Sequence, residues 1–171
     1  SPAPAFNAIQ ARGGSYNQVK QGSGNDYVIV EFATNGRLDW GTYFGGTDSE
    51  YNFWHHPIDV DACGNLYLGG YTESHSDYPI QNKAGAYNQA TTTALANEIY
   101  GALSKFTTTG ALEWSTYYTD QVGNVPLTIS HDRYNNIYLG GVGGPATPVM
   151  NKAGAYNQAI SGTGDAWLAK Y

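Results

Sequence analysis

The nine residues NKAGAYNQA occur at 82–90 and again, letter for letter, at 151–159. A chain of 171 residues that spells one peptide twice carries either a duplicated binding site or a duplicated structural unit. Sliding the sequence along itself extends the match well beyond the peptide. FATNGRLDWGTYF at 32–44 pairs with FTTTGALEWSTYY at 106–118, and DACGNLYLGGY at 61–71 pairs with DRYNNIYLGGV at 132–142. GGSYNQ at 13–18 is a weaker first copy of AGAYNQ at 84–89 and 153–158, and GNDYVIVEF at 24–32 corresponds to GDAWLAKY at 164–171. The offset is about seventy residues each time, and the small differences fall between the matched blocks. The peptide is the most visible part of a larger repeating unit.

Each unit reads as four short strands. The first is PIDVD (57–61) or PLTIS (126–130), and the second is NLYLGGY (65–71) or NIYLGGV (136–142). The third is DYVIVEF (26–32), YGALSKF (100–106) or DAWLAKY (165–171), and the fourth is RLDWGTYF (37–44) or ALEWSTYY (111–118). All are rich in β-branched and aromatic residues and alternate with period two, as in Leu38, Trp40, Thr42 and Phe44 against Asp39, Gly41 and Tyr43. No stretch carries a 3.6-residue apolar period with helix caps. With 22 glycines, 15 tyrosines and only 13% charged residues, the composition suits short strands and tight turns.

The connections indicate which strands are neighbours. Strands one and two are joined by Asp61 to Asn65 and by Asp132 to Asn136. In each, an Asp able to bond the backbone ahead of it precedes Gly64 or Asn135, where a positive φ is expected. Strands three and four are joined by short turns ending in Gly36 and Gly110. Strands two and three are joined by long segments, roughly 72–98 and 143–164, which carry the repeated peptide. The pairs Gly69-Gly70 and Gly140-Gly141 interrupt the second strand, where they admit a bulky side chain from an adjacent sheet.

Tandem antiparallel four-stranded units, each too small to bury its own faces, are the parts of a β-propeller. D-x-x-G-N-L-Y-L-G-G-Y-T at 61–72, D-Y-P at 77–79 with G-A-Y-N-Q at 85–89, L-x-W-S-T-Y at 112–117 and G-D-A-W-L-A-K-Y at 164–171 together resemble the SBBP β-propeller repeat of bacterial secreted and surface proteins. The resemblance covers nearly the whole chain, with Asn135 standing where a turn glycine is expected and no G-x-x-D-A lead before strand three at 100–106. It implies an extracellular or cell-surface setting. The expected fold is all-β without substantial helix, a partial propeller of about nine strands or a little over two blades. Residues 1–44 would end a first blade, 45–118 would form a complete second blade, and 119–171 an incomplete third. Because a propeller closes with about four to eight blades, the expected partners are further blades of the same polypeptide or neighbouring subunits. Other surface proteins and glycans are further candidates.

Several function classes find no support. The net charge is −6 and basic residues are scattered singly, against the clustered basic face that nucleic-acid binding requires. No apolar run reaches membrane-spanning length, and the single Cys63 permits no internal disulfide. Nucleophile elbow, phosphate loop and zinc-type histidine motifs are absent from the sequence, so no enzymatic activity and no cofactor is expected. Asp48, Glu50 and Asp120 offer oxygens for calcium but without an EF-hand spacing.

What remains is the face bearing the long loops, where binding normally resides. Its candidates are Tyr51, Phe53, Trp54, His55 and His56 from the link between units, with His75, Asp77 and Tyr78 from the long loop. Aromatic rings there could stack on sugars, which gives a glycan-binding or glycan-processing alternative. Adjacent His55 and His56 point to opposite faces of an extended segment, so at most one would join Asp59, Asp77 or His75 as metal ligand or acid–base group. The plainer alternative is a histidine hydrogen-bonded at a strand entrance. For Tyr87 and Tyr156 of the repeated peptide, the structural expectation is an anchor pinning the loop to the sheet, with Asn and Gln satisfying its backbone.

Overall fold

The computed structural model describes residues 10–51, 57–92, 98–119 and 125–171. Among these the chain is all-β with no helix. Its strands are β1 (Tyr27–Phe32), β2 (Leu38–Phe44), β3 (Glu50–Tyr51), β4 (Ile58–Val60), β5 (Leu66–Thr72), β6 (Tyr100–Phe106), β7 (Leu112–Tyr117), β8 (Val125–His131), β9 (Ile137–Gly143) and β10 (Asp165–Lys170). They form three open antiparallel sheets: β1 with β2; β3, β4, β5, β6 and β7; and β8, β9 and β10.

The short turns follow from local chemistry. Gly36, Gly64 and Gly110 take φ values of 82°, 84° and 77°, and Asn135 takes 62°, the one positive φ at a non-glycine among the described residues. Asp61 accepts from the Cys63 and Asn65 N–H groups at Oδ1, and from Asn65 Nδ2 and the Tyr67 hydroxyl at Oδ2. Asp132 repeats this set with Tyr134, Asn136 and Tyr138. One carboxylate thus satisfies a whole turn twice over in the chain.

The strand expected over 57–61 is present as β4 (Ile58–Val60), and the structure adds a short strand, β3 (Glu50–Tyr51), on the same edge of β5. Ile58 pairs with Leu68 and Val60 with Leu66, whereas Glu50 pairs with Thr72 and Tyr51 with Tyr71. Between these two pairings β5 has only Gly69 and Gly70. With β3, the described residues hold ten strands where about nine are expected. In the third unit the corresponding strand, β8, runs unbroken with a register shift between Pro126 and Thr128.

Period-two alternation lets the middle sheet bury both faces. On one face, Leu68, Ala102, Phe106 and Tyr117 pack with Tyr27, Ile29, Trp40 and Phe44 of the first sheet. On the other, Tyr67, Leu103 and Trp114 pack with Ile129, Ile137 and Leu139 of the third. Each fully buried large side chain contributes about 1.5–3 kcal/mol. The sheets are therefore stacked face to face, and stability resides in the junctions between units. The glycine pair serves this stacking: the Tyr27 hydroxyl accepts from the Tyr71 N–H at 2.7 Å and lies 2.6 and 2.7 Å from the Tyr51 and Tyr71 carbonyl oxygens. Gly70 leaves the room this requires.

Candidate functional site

The repeated peptide runs along the outer edge of its own sheet. Strand β7 has β6 on one side, and on the other it meets residues 81–89. Gln81 forms a backbone bridge with Ser115, and its Nε2 donates to the Leu112 carbonyl at 2.9 Å. The Gln89 N–H donates to the Thr116 hydroxyl at 2.8 Å, and its carbonyl accepts from the Tyr117 N–H at 3.1 Å. Its side chain brackets the strand's end: Nε2 donates to the Thr119 carbonyl, while Oε1 accepts from the Thr119 N–H and the Tyr87 hydroxyl.

The first unit contains the same device, contact for contact. Gln10 bridges Gly41 and donates from its side chain to the Leu38 carbonyl. The Gln18 N–H donates to the Thr42 hydroxyl and its carbonyl accepts from Tyr43. Gln18 Nε2 donates to the Gly45 carbonyl, and its Oε1 accepts from the Gly45 N–H and the Tyr16 hydroxyl. The clamp supplies bonds to backbone groups that an edge strand would otherwise leave unpaired.

The clamp tyrosine also ties one sheet to the next. Tyr16 packs edge-on against Phe44 and Phe106, with centroids at 5.5 and 6.1 Å. Tyr87 meets Tyr118 and Tyr171 in the same way, at 5.6 and 6.2 Å. In both triads the second ring lies at the end of the fourth strand of one unit, and the third ring at the end of the third strand of the next, each within one residue. Tyr156, expected to be another anchor, departs from the pattern. Its hydroxyl still donates to Gln158 Oε1 at 2.6 Å, but its ring is 89% exposed. The reason is geometric: no described strand lies beyond β10 for that loop to clamp.

Sequence inspection of the repeated peptide alone misses Gln10 and Gln81. A signal for them exists: Ile-Gln stands at 9–10 and 80–81, the same number of residues before Gln18 and Gln89. The corresponding third-unit residues are Val149 and Met150.

The candidates on the long-loop face are not brought together. Phe53, Trp54, His55 and His56 lie outside the described residues. Tyr78 is a core residue, 4% exposed, between Phe44 and Tyr117, with its hydroxyl 3.3 Å from Ser104 Oγ. It presents no ring for a ligand to stack on. His75 is half-buried and its carbonyl accepts from Thr92. Asp77 is exposed and caps the Thr47 N–H at 3.0 Å, while Tyr51 is half-buried and its carbonyl faces the Tyr27 hydroxyl. Asp59, weighed as a partner for the histidine pair, instead lies 2.8 Å from His131 Nδ1 on β8. No group of three or more His, Cys, Asp or Glu side chains suited to a metal occurs among the described residues.

Glu50 is a deeply buried carboxyl whose pKa is strongly raised. It is 3% exposed, and burial pushes its pKa up to about 7. Bonds from the Thr72 and Ser74 hydroxyls and the Gly46 N–H oppose that rise, and the nearby Asp26 adds to it. Glu50 Oε2 packs so closely on Gly45 that a Cβ there would sit 2.1 Å away. Of the other oxygens considered for calcium, Asp48 is exposed and Asp120 lies outside the described residues.

A scan against protein-family models finds no match for this chain, and a search of curated proteins finds none either.

Proposed function

We propose that the chain is a non-enzymatic scaffold or interaction module, a run of consecutive blades from a larger bacterial β-propeller of the SBBP type, acting outside the cell or at its surface. The observation carrying this is the repeated junction. Tyr16, Phe44 and Phe106 at one interface recur as Tyr87, Tyr118 and Tyr171 at the next, so each unit is completed by the unit that follows it. Repeat architectures draw their stability from nearest-neighbour interfaces of this kind. The outer faces of the stack support the same conclusion. Val28, Val30 and Phe32 are exposed at one end and Val142 and Leu168 at the other, apolar surface that further sheets would cover. The repeated residues are spent on edges and junctions, which is scaffold chemistry. The glycan alternative loses Tyr78 to the core, and no observation on the described residues favours it.

The test is to follow the natural polypeptide with an antibody against the NKAGAYNQA peptide, through cell fractionation and intact-mass measurement. A mass well above 18.4 kDa, in the medium or on the surface, is expected. A cytoplasmic species matching the 171 residues would overturn the proposal.

A further inference from the structure

Two loops meet at one end of the first sheet: residues 19–26, leading into β1, and residues 45–50, leading from β2 into β3. They are pressed together. A Cβ on Gly22 would lie 2.1 Å from the Thr47 carbonyl oxygen, and one on Gly24 would lie 2.3 Å from that of Asp48. The Asn25 carbonyl accepts from the Glu50 N–H at 2.6 Å. This packing brings Asp26 and Glu50 to the same residue, Gly45, where a Cβ would lie 2.1 Å from Glu50 Oε2 and 3.4 Å from Asp26 Cβ. One oxygen of each carboxyl is satisfied. Asp26 Oδ2 accepts from the Gln21 N–H at 2.8 Å, and Glu50 Oε1 accepts from the Thr72 hydroxyl at 2.7 Å and the Gly46 N–H at 3.3 Å. The other oxygens, Asp26 Oδ1 and Glu50 Oε2, are buried without a hydrogen-bond partner. The Glu50 residue is 3% exposed, and neither carboxyl has a salt bridge among the described residues. Lys20, the one lysine of the two loops, donates instead to the Gln21, Gly22 and Gly24 carbonyl oxygens.

We propose that the junction of these two loops binds a calcium ion through Glu50 Oε2 and Asp26 Oδ1, with backbone carbonyls and water completing the oxygen shell. A buried polar atom without a partner is rare in a native fold, and here two stand on neighbouring carboxyls. Like charges buried side by side repel, and a shared cation removes both the repulsion and the unmet bonding. Burial raises the Asp26 pKa even against the Gln21 N–H and the Lys20 charge, so the lysine does not neutralise the pair. Asp77 adds negative charge from the long loop: its Oδ2 accepts from the Thr47 N–H, and its Oδ1 lies 2.5 Å from where a Cβ on Gly46 would sit. The donors are hard oxygens on irregular loops, which suits calcium better than magnesium, whose octahedral shell is smaller and stricter. Two charged ligands make a weak site, with a Kd on the order of 10⁻⁴ to 10⁻³ M. The inference goes beyond the module reading and does not depend on it.

The probe is calcium chloride, titrated calorimetrically into the chelator-stripped 171-residue protein, with magnesium chloride as the comparison. Saturable binding of a single calcium ion per chain is expected, at least tenfold tighter than magnesium. At 10 mM calcium the melting midpoint should rise by roughly 3–8 °C over sodium chloride of equal ionic strength. Glu50→Gln and Asp26→Asn keep the side-chain shapes and remove one charge each; both should weaken calcium binding about tenfold or more while circular dichroism stays native. Asp48→Asn, which changes an exposed carboxylate outside the pair, should bind within about threefold of the parent. Asp26 lies at the start of β1 and is less buried than Glu50, so its variant keeps the test valid should Glu50→Gln fail to fold. No saturable binding by folded protein, or unchanged binding in both pair variants, would overturn the site. Equal stabilisation by sodium chloride would also overturn it, assigning the effect to charge screening.

Discussion

The Tyr27 hydroxyl occupies the space in which a side chain on Gly70 would begin: a Cβ there would lie 2.1 Å from the oxygen. The two residues belong to different sheets, and their contact joins the start of β1 to the middle of β5. Gly70→Ala should therefore destabilise the fold by about 1–3 kcal/mol through overpacking. Tyr27→Phe should cost about 1–2 kcal/mol, because the Tyr71 N–H loses its acceptor. In the Tyr27→Phe background, the Gly70→Ala penalty should shrink by about 1 kcal/mol, as direct contact requires. Urea denaturation of the four proteins measures this, and strictly additive losses would remove the contact from the account.

Glu50 makes stability depend on pH in a definite direction. Its pKa in the fold is raised to about 7 from its ordinary 4.5, so folding favours the protonated form. Its contribution is fully present below 4.5 and is lost as pH rises through 7. For a carboxyl this deeply buried the loss is roughly 3 kcal/mol. Denaturation midpoints between pH 5 and 8 should fall in the native protein and change much less in Glu50→Gln. An unchanged slope in the variant would assign the dependence to another group.

The turn aspartates act with the opposite sign. Burial pushes Asp61 upward, but the bonds from Asn65, Cys63 and Tyr67 outweigh it and hold it below its ordinary value. The Asn136 side chain leads the bonds that hold Asp132 at about 2. Both therefore stabilise the fold above their unfolded values and lose that contribution as pH falls through the lowered ones. Asp61→Ala leaves four donors without an acceptor and should cost about 2–3 kcal/mol, with a flatter acid limb in the melting profile. Asp132→Ala, on a more exposed turn, should cost less.

Asn135 holds a positive φ of 62° in the place where the preceding unit has Gly64. Asn135→Ala should cost about 1 kcal/mol because a Cβ without a local polar partner is disfavoured there. Asn135→Gly should be close to neutral. Thermal melts of the two variants separate backbone strain from loss of the Asn135 contact to Cys63, which both substitutions remove.

Much of the fold is legible in the letters because the repeat compares each segment with its counterpart. Trp40 and Trp114 stand at matching positions of the fourth strand, and both are buried at sheet junctions. The turn geometry at Gly36, Gly64, Gly110 and Asn135 follows from local chemistry alone. Other features depend on tertiary contacts that no local pattern encodes. The additional short strand β3 beside β4 is visible only in the pairing to β5. Tyr78 reads as a loop residue beside a proline, yet Phe44 and Tyr117, remote in sequence, draw it into the core. The clamp was half visible. The repetition of Y-N-Q marked its end, but its other end, Gln10 and Gln81, sits outside the identical peptide.

The central claim is that the repeated peptide is an edge clamp, engaged in two units and open in the third. Thermal denaturation of Gln18→Ala, Gln89→Ala and Gln158→Ala tests it most directly. The first two substitutions each remove side-chain bonds to a held strand and should lower stability by about 1–2 kcal/mol, whereas Gln158→Ala should stay within about 0.5 kcal/mol of the parent. Equal losses at all three positions, or none at Gln18 and Gln89, would contradict the account.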